Sequence, residues 1–360
     1  MTGSKIPCAI LGASGYIGQH FTRLLGDHPS FELPHLGGGE RSEGKTLGDV
    51  WQLAEAPPPA LADRRLTTLR PGALSRAGVR VVFSALPSGT AGPVETELVR
   101  RGVSVFSNAA DHRMDPDVPL LVPEVNADHL GLVERRPRGR GLLVANPNCS
   151  ATGLVLGLAP LLPLLRPRAI HVTTYQSLSG AGYPGVPSLS ITDNVVPFIE
   201  EEEEKIAHES ARILGIRRGR TVRPLSTPFV IHCARVATRE GHLEAVTLEA
   251  TRPATRSEIL HALRSFDPLA GRALPSAPHP PIEVRSEPDR PQPIRDRWAG
   301  SPARARGMAV VVGRVRWDPP YLRLFLLSHN AVRGGAGASV LNAELALDRG
   351  LLPRAGGSST

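Results

Sequence analysis

Ile6-Pro7-Cys8-Ala9-Ile10-Leu11-Gly12-Ala13-Ser14-Gly15-Tyr16-Ile17-Gly18, continued by Gln19-His20-Phe21-Thr22-Arg23-Leu24-Leu25, decides how this chain is read. The first run is apolar and suits a buried strand; the last has the apolar spacing of an amphipathic helix. Between them the glycines follow GxxGxxG. In a strand–turn–helix setting such glycines let the backbone approach a pyrophosphate, which the helix start then holds. A dinucleotide-binding corner is therefore expected, built on Gly12, Ser14, Gly15 and the residues after them.

Working outward, a second strand is predicted over Phe31–Leu36, followed by Gly37-Gly38-Gly39-Glu40-Arg41-Ser42-Glu43-Gly44-Lys45. At this distance an NAD site offers an acidic side chain to the ribose hydroxyls. Here Glu40 is joined by Arg41, Ser42 and Lys45, which suit a 2′-phosphate, so NADP is expected. Further strands are predicted at 79–86, ending at Ser84 and a small-residue loop, and at 103–106, with a helix over 94–101 between them. Residues 46–78 give few signals, and Pro57-Pro58-Pro59 reads as a loop. The alternation makes residues 5–148 one α/β unit with a doubly wound parallel sheet.

The pattern changes at Ala145-Asn146-Pro147-Asn148-Cys149-Ser150-Ala151-Thr152-Gly153. An apolar strand run precedes it, and an apolar segment of helical length follows, stopping at Pro160. Cys149 thus sits at a strand-to-helix corner, where free amides and the helix dipole would stabilise a thiolate. Beyond Pro163, strands are predicted at Ala169–Gln176, 229–236, 242–250, 308–317 and 321–327, and a helix with five glutamates at 200–214. This second region reads as an antiparallel sheet with helices on one face, with Arg235 and His242 on neighbouring strands across a turn. The proline-rich run 275–293 reads as an ordered surface loop, and 336–352 as a final amphipathic helix.

Composition narrows the function classes. The chain has 360 residues, net charge +8 and pI about 10.1. The positive charge is almost all arginine, scattered except at 134–140 and 217–220, and aromatics are 4 %, too few for a base-stacking surface. No nucleic-acid partner is expected. No apolar run approaches the ~20 residues that span a bilayer, so no membrane partner is expected either. Cys8, Cys149 and Cys233 are few, far apart and odd in number, which argues for a reducing, cytoplasmic setting. No metal-ligand spacing is found.

An ordered set of segments resembles the aspartate-semialdehyde dehydrogenases, of the archaeal and fungal type. It comprises Gly12–Gly18, 40–45, 107–113, Pro123-Glu124-Val125-Asn126, 146–153, 176–187, 200–205, Arg235 to Gly241-His242, 274–293 and Ser328-His329-Asn330 through Asn342, and covers almost the whole chain. The resemblance implies a Rossmann-type domain (1–148, completed by a helix at 333–352) and an α+β catalytic and dimerisation domain (149–332). It implies Cys149 as nucleophile, His242 as acid/base, Gln176 orienting the acyl group and Asn148 beside the oxyanion. Arg235 would hold the substrate carboxylate, Arg113 with Asn108 the phosphate, and Glu202 and Lys205 would be further substrate contacts. Gly12, Ser14, Gly15, Tyr16, Ile17, Arg41, Ser42, Ser84, Ser179, Gly180 and Asn330 would line NADP.

The implied reaction is NADP-dependent reductive dephosphorylation of L-aspartyl 4-phosphate to the semialdehyde through a thioester, in a homodimer or homotetramer. One departure stands out. The family pattern Arg-Val-Pro-Val-x-Asp-Gly-His is here Arg235-Val236-Ala237-Thr238-Arg239-Glu240-Gly241-His242, a change expected to reshape the pocket beside His242. Basic loops near 133–141 and 301–306 are additional. A paralogue reducing a related acyl phosphate or a CoA thioester, as archaeal malonyl-CoA reductases do, is the alternative.

Overall fold

The computed structural model describes residues 4–134 and 136–352; Arg135 of the basic cluster 134–140 lies outside them. Five strands, β1 (Ile6–Leu11), β2 (Phe31–Leu36), β3 (Val81–Ser84), β4 (Ser104–Ser107) and β5 (Leu143–Ala145), form a parallel sheet in the order β2-β1-β3-β4-β5. Apart from the edge strand β2, whose Glu32 is exposed, the strands are largely apolar and buried, as a sheet covered on both faces requires. Ile10, Phe21, Phe31, Phe83 and Phe106 make its core, with the Phe83 and Phe106 rings stacked at 5.8 Å. The strand order reverses at β1, so a crevice opens where β1 and β3 end. Gly12 turns the chain there with φ +77°, and a Cβ on it would lie 2.6 Å from the Ala85 carbonyl oxygen. Only glycine meets both demands.

The next strands are β6 (Ala169–Gln176), the small hairpin β7 (Ile216–Arg218) and β8 (Thr221–Arg223), β9 (Phe229–Arg235), β10 (His242–Glu249), β11 (Ile282–Val284), β12 (Val310–Asp318) and β13 (Tyr321–Ser328). Six of them form a second sheet, β11-β12-β13-β10-β6-β9. Two expectations fail here. The sheet is mixed, because β6 pairs with β9, and β11 with β12, in parallel. And β9 does not neighbour β10: the connection between them crosses the end of β6, which lies between the two. The proline-rich run is not only loop, since it supplies β11 and buries Ser276, Ala277 and Ile282. Prolines flank that strand rather than interrupt it, which keeps its donors free to pair.

Residues 46–78 hold three one-turn helices, one opened by Pro59 where a loop was read; proline suits a first helical turn. The last helix, Gly337–Asp348, is buried on every side over most of its length rather than amphipathic. Val340, Leu341 and Leu345 join the first core. Its buried glutamate finds partners inside: Glu344 accepts from Ser276 Oγ at 2.6 Å and pairs with His28 Nε2 at 2.9 Å. The helix Cys149–Leu158 joins the two halves, with Leu154, Leu156 and Leu158 packed into the second core directly after β5 of the first sheet.

Candidate active site

Cys149 is the first residue of its helix, and Asn148 is the cap: Asn148 Oδ1 accepts from the Ser150 and Ala151 amides at 2.8 and 3.2 Å. That bond stabilises the corner that points the sulfur into the cleft. Cys149 Sγ lies 3.1 Å from His242 Nε2. His242, the first residue of β10, is 1 % exposed, and its Nδ1 accepts from the Ser177 amide at 3.1 Å. Arg235 Nη1 donates to the Ser177 carbonyl at 2.8 Å. Ser177, the residue after β6, thus gathers Arg235 and His242 from strands that do not touch.

The electrostatics differ from the expected helix-stabilised thiolate. Burial, with the Glu202 carboxylate adding to it, pushes the Cys149 thiol up to about 12, against the opposing pull of Arg113, Arg235 and the Ser150 amide. Burial, aided by Arg235, presses His242 down to about 3. Both directions favour an uncharged thiol–imidazole pair. The Ser150 amide at the helix start pulls in the expected direction but is outweighed by desolvation and by Glu202.

Asn108, Arg113, Asn148, Gln176, Glu202, Lys205 and Arg235 all line one cleft with Cys149. Within it, Gln176 Nε2 donates to Glu202 Oε1 at 2.8 Å and Asn148 Nδ2 donates to both Glu202 oxygens at 3.0 Å. The Asn148 amide side chain is therefore held against Glu202. Among the described residues the Cys149 backbone N–H has no recorded partner, and Cys149 itself lines the cleft. Arg113 donates to Asn146 O, Glu209 and Asn108 O at 3.0, 3.0 and 2.9 Å, which leaves two of its five N–H groups. Lys205 pairs with Glu201 at 2.9 Å rather than with Glu202, and keeps its place on the cleft wall.

On the other side, Tyr16, Ile17, Ser179, Gly180 and Asn330 line the cleft. Gly12, Ser14 and Gly15 sit behind them in the turn, where the helix Tyr16–Leu25 starts on Gly15 with no side-chain cap, so its first amides face outward. Ser42 Oγ donates to Ser14 Oγ at 3.3 Å, placing the 37–45 loop beside the turn with Arg41 exposed. Ser84 is the exception: it is 0 % exposed at the end of β3, and Ala85, Leu86, Pro87 and Ser88 line the cleft in its place. The strand ends one residue short of the crevice. None of the side chains of residues 236–240 lines the cleft, and Ala237 and Arg239 are exposed; the stretch meets the cleft wall through its backbone, with Val236 N–H donating to Gln176 O at 3.0 Å and the Leu178 and Ser179 amides donating to Thr238 O and Arg239 O at 2.7 and 3.1 Å.

Reasoning from sequence missed three residues. Glu209 accepts from the Asn148 amide at 2.6 Å and from Arg113, fixing both. Ser177 was passed over as loop. Gly334 closes over the nucleophile, where a Cβ would lie 2.7 Å from Cys149 Cβ. Only the glutamate run and the paired glycines Gly334 and Gly335 could have hinted at them.

Comparison with known proteins agrees with this geometry. Residues 7–133 match the model of a semialdehyde dehydrogenase NAD-binding domain, and residues 158–333 that of a semialdehyde dehydrogenase dimerisation domain. The chain is 44 % identical over 342 residues to an aspartate-semialdehyde dehydrogenase of Archaeoglobus fulgidus, covering 93 % of this chain and 96 % of that one. It is 36 % identical over 359 residues to a malonyl CoA reductase (NADP) of Metallosphaera sedula, covering 97 % and 99 %. The crystal structure of aspartate semialdehyde dehydrogenase with NADP from Candida albicans superposes with TM-score 0.86 at 35 % identity, covering 97 % of this chain and 100 % of that one.

Proposed function

The chain belongs to the aspartate-semialdehyde dehydrogenase family, and from that premise we propose that it reduces L-aspartyl 4-phosphate to L-aspartate 4-semialdehyde, with NADP as cofactor. The observation that carries this is the Cys149–His242 contact of 3.1 Å at a helix start, inside a cleft shared by both sheets. On this reading residues 1–148 with the helix at 333–352 form the cofactor half, and 149–332 the catalytic and dimerisation half.

The turn at Gly12–Ile17 fits a dinucleotide. Gly12 leaves no room for a side chain and the uncapped helix start presents free amides, the features that hold a pyrophosphate. Arg41 and Ser42 would meet the 2′-phosphate. When bound in its reduced form, NADPH would supply the hydride that, with a proton, reduces a thioester carbonyl to the level of the aldehyde.

This chain's own residues do the rest. Cys149 attacks the acyl carbon as its proton leaves, and phosphate departs beside Arg113 and Asn108, giving the thioester. Arg235, Lys205 and the Gln176–Glu202 pair orient the aspartyl group. The Cys149 N–H stabilises the oxyanion as it forms, and His242 exchanges protons with sulfur and oxygen. We also read the protein as a cytoplasmic homodimer or homotetramer. Support comes from the match of 158–333 to a dimerisation domain and from three free cysteines. Among the described residues no helix is long and apolar enough to cross a membrane.

Phosphate-dependent formation of NADPH from aspartate semialdehyde and NADP tests the assignment, with Cys149→Ser as the inactive control. No NADPH with that aldehyde defeats it. NADPH that forms only with CoA in place of phosphate favours the malonyl-CoA-reductase-like reading, which the Metallosphaera relative motivates.

A further inference from the structure

The start of the helix Tyr16–Leu25 is tied to the second half of the chain by one buried bond. The Tyr16 hydroxyl donates to Glu240 Oε1 at 2.7 Å, between residues 224 positions apart. Each of the two is 7 % exposed. Tyr16 lines the cleft that holds Cys149, whereas Glu240 does not. Burial, and then the Glu240 charge, hold the Tyr16 hydroxyl far above its usual pKa, so it stays a donor at every working pH. Edge contacts from His20 at 4.9 Å and Tyr183 at 5.2 Å steady the ring. Among the described residues Tyr16 is the only hydrogen-bond donor to the Glu240 carboxylate, and Arg297 Nε faces the other oxygen at 3.4 Å as its counter-charge. His329 Nε2 lies 3.8 Å away, but burial presses that imidazole well below its usual pKa and leaves it uncharged.

Resting on the proposed use of NADP, we propose that Glu240 is a positioning residue for the cofactor: through Tyr16 it fixes the nucleotide turn from the far side of the cleft. The loop that carries Glu240 is itself well anchored. Val236 N–H donates to Gln176 O, Thr238 O and Arg239 O accept from the Leu178 and Ser179 amides, and the Gly241 amide donates to Asn330 Oδ1 at 2.9 Å. The helix at the turn has no side-chain cap, and its free amides are the ones a pyrophosphate needs. A capping side chain there would compete with the ligand. A tether at the Tyr16 hydroxyl holds the same backbone and leaves the amides open. Holding the turn before the nucleotide arrives removes an ordering cost from binding.

The length of residue 240 decides whether the tether forms. The family pattern has aspartate at this position, whose carboxylate stops one C–C bond, about 1.5 Å, short of the glutamate's. Starting from 2.7 Å, that takes the oxygen beyond hydrogen-bond reach of Tyr16. Glu240 is thus the change within 236–240 whose side chain acts on a neighbour in the cleft wall, and it acts on the cofactor side.

Glu240→Asp, Glu240→Gln and Tyr16→Phe test this by fluorescence titration of the folded proteins with NADPH and with NADH, a measurement that needs no turnover. Glu240→Asp is expected to raise the Kd for both nucleotides by one common factor, about fivefold or more, because the pyrophosphate is common to them. Glu240→Gln keeps an acceptor for Tyr16 and should stay within about twofold of the parent. In a Tyr16→Phe background, Glu240→Asp should add nothing further, since the bond is already gone. An unchanged Kd in Glu240→Asp overturns the proposal, including the case where only the urea midpoint falls, which is what a purely structural bond gives. So does a loss confined to NADPH, which places the effect at the 2′-phosphate, a glutamine variant as weak as the aspartate one, or additive losses in the double variant. A wild-type protein that binds NADPH but forms none from aspartate semialdehyde, NADP and phosphate defeats the proposed function alone. An active wild type whose Kd is indifferent to Glu240→Asp defeats this inference alone.

Discussion

Replacing Glu124 by glutamine strands a guanidinium in the interior. Arg333 is 0 % exposed and Glu124 1 %, and the two are joined by parallel bonds, Nη1 to Oε1 at 2.6 Å and Nη2 to Oε2 at 2.9 Å. Breaking a buried pair by removing one partner costs about 3–5 kcal/mol. Against a total of about 5–15 kcal/mol for a domain, that is a third or more of the stability. Glutamine keeps the shape and one acceptor, so Glu124→Gln belongs at the lower end, about 3 kcal/mol. Arg333→Met leaves an uncompensated carboxylate and belongs at the upper end. Glu124→Leu with Arg333→Met removes both charges and should recover most of the loss, to within about 1 kcal/mol of the parent. Urea unfolding followed by the fluorescence of Trp51, Trp298 and Trp317 reads these values from the midpoint at constant slope. The change should also slow catalysis in folded protein. Arg333 precedes Gly334, whose carbonyl accepts from Asn146 Nδ2 at 3.3 Å and whose backbone covers Cys149. A single-mutant loss below about 1 kcal/mol, or a double variant less stable than either single, would refute the reasoning.

Three further outcomes are expected. Glu244 is 1 % exposed with neither carboxyl oxygen paired, and burial, with Glu202 second, holds its pKa well above the usual range. A carboxyl raised on folding stabilises below its unfolded pKa, and that contribution is lost as pH rises toward the folded value. Glu244→Leu should therefore raise the stability by about 1–3 kcal/mol near pH 8, with a gap that narrows toward pH 4. Calorimetric scans across that range check it, and a constant gap would count against it. Iodoacetamide should modify Cys149 more slowly than an exposed thiol at neutral pH, with a rate still climbing at pH 10, because burial and Glu202 hold the thiol up to about 12. Glu202→Gln should speed the reaction, and a rate plateau below pH 8 would contradict this account. Arg41→Ala should raise the KM for NADPH about tenfold, the worth of one charge-assisted hydrogen bond, and leave that for NADH unchanged; steady-state kinetics decide it.

Strands with strong local chemistry were legible. β1, β2 and β6 stand where their apolar runs and turn residues put them, and Cys149 opens its helix at the strand-to-helix corner read from its flanks. What escaped were choices made by tertiary contact. A short connection such as 236–241 reads as a hairpin, yet β6 takes the place beside β10, and the two form an antiparallel ladder from Leu243–Tyr175 to Glu249–Ala169. Asn342 and Glu344 give the last helix a polar stripe on paper, but each is met inside by Leu121 O, His28 and Ser276, partners remote in sequence. Glu209 and Ser177 were invisible for the same reason. Their roles consist of holding other residues, and no spacing rule records a partner.

The same contrast bears on substrate choice. The stretch 236–240 looked like the place where this chain parts from its relatives in specificity. In the fold its one inward side chain is Glu240, which meets Tyr16 of the glycine turn rather than the acyl pocket. Gln176, Glu202, Lys205 and Arg235, which line that pocket, keep the residue types the resemblance implies. A change confined to 236–240 therefore bears on how the histidine loop meets the nucleotide turn before it bears on which acyl group Cys149 receives. Swapping 236–239 for Val-Pro-Val-Lys should leave the preference between aspartate semialdehyde and other aldehydes where it is, because none of those side chains reaches the cleft. A shift in that preference, measured as a ratio of kcat/KM values, would place specificity in the loop and not in the four cleft residues.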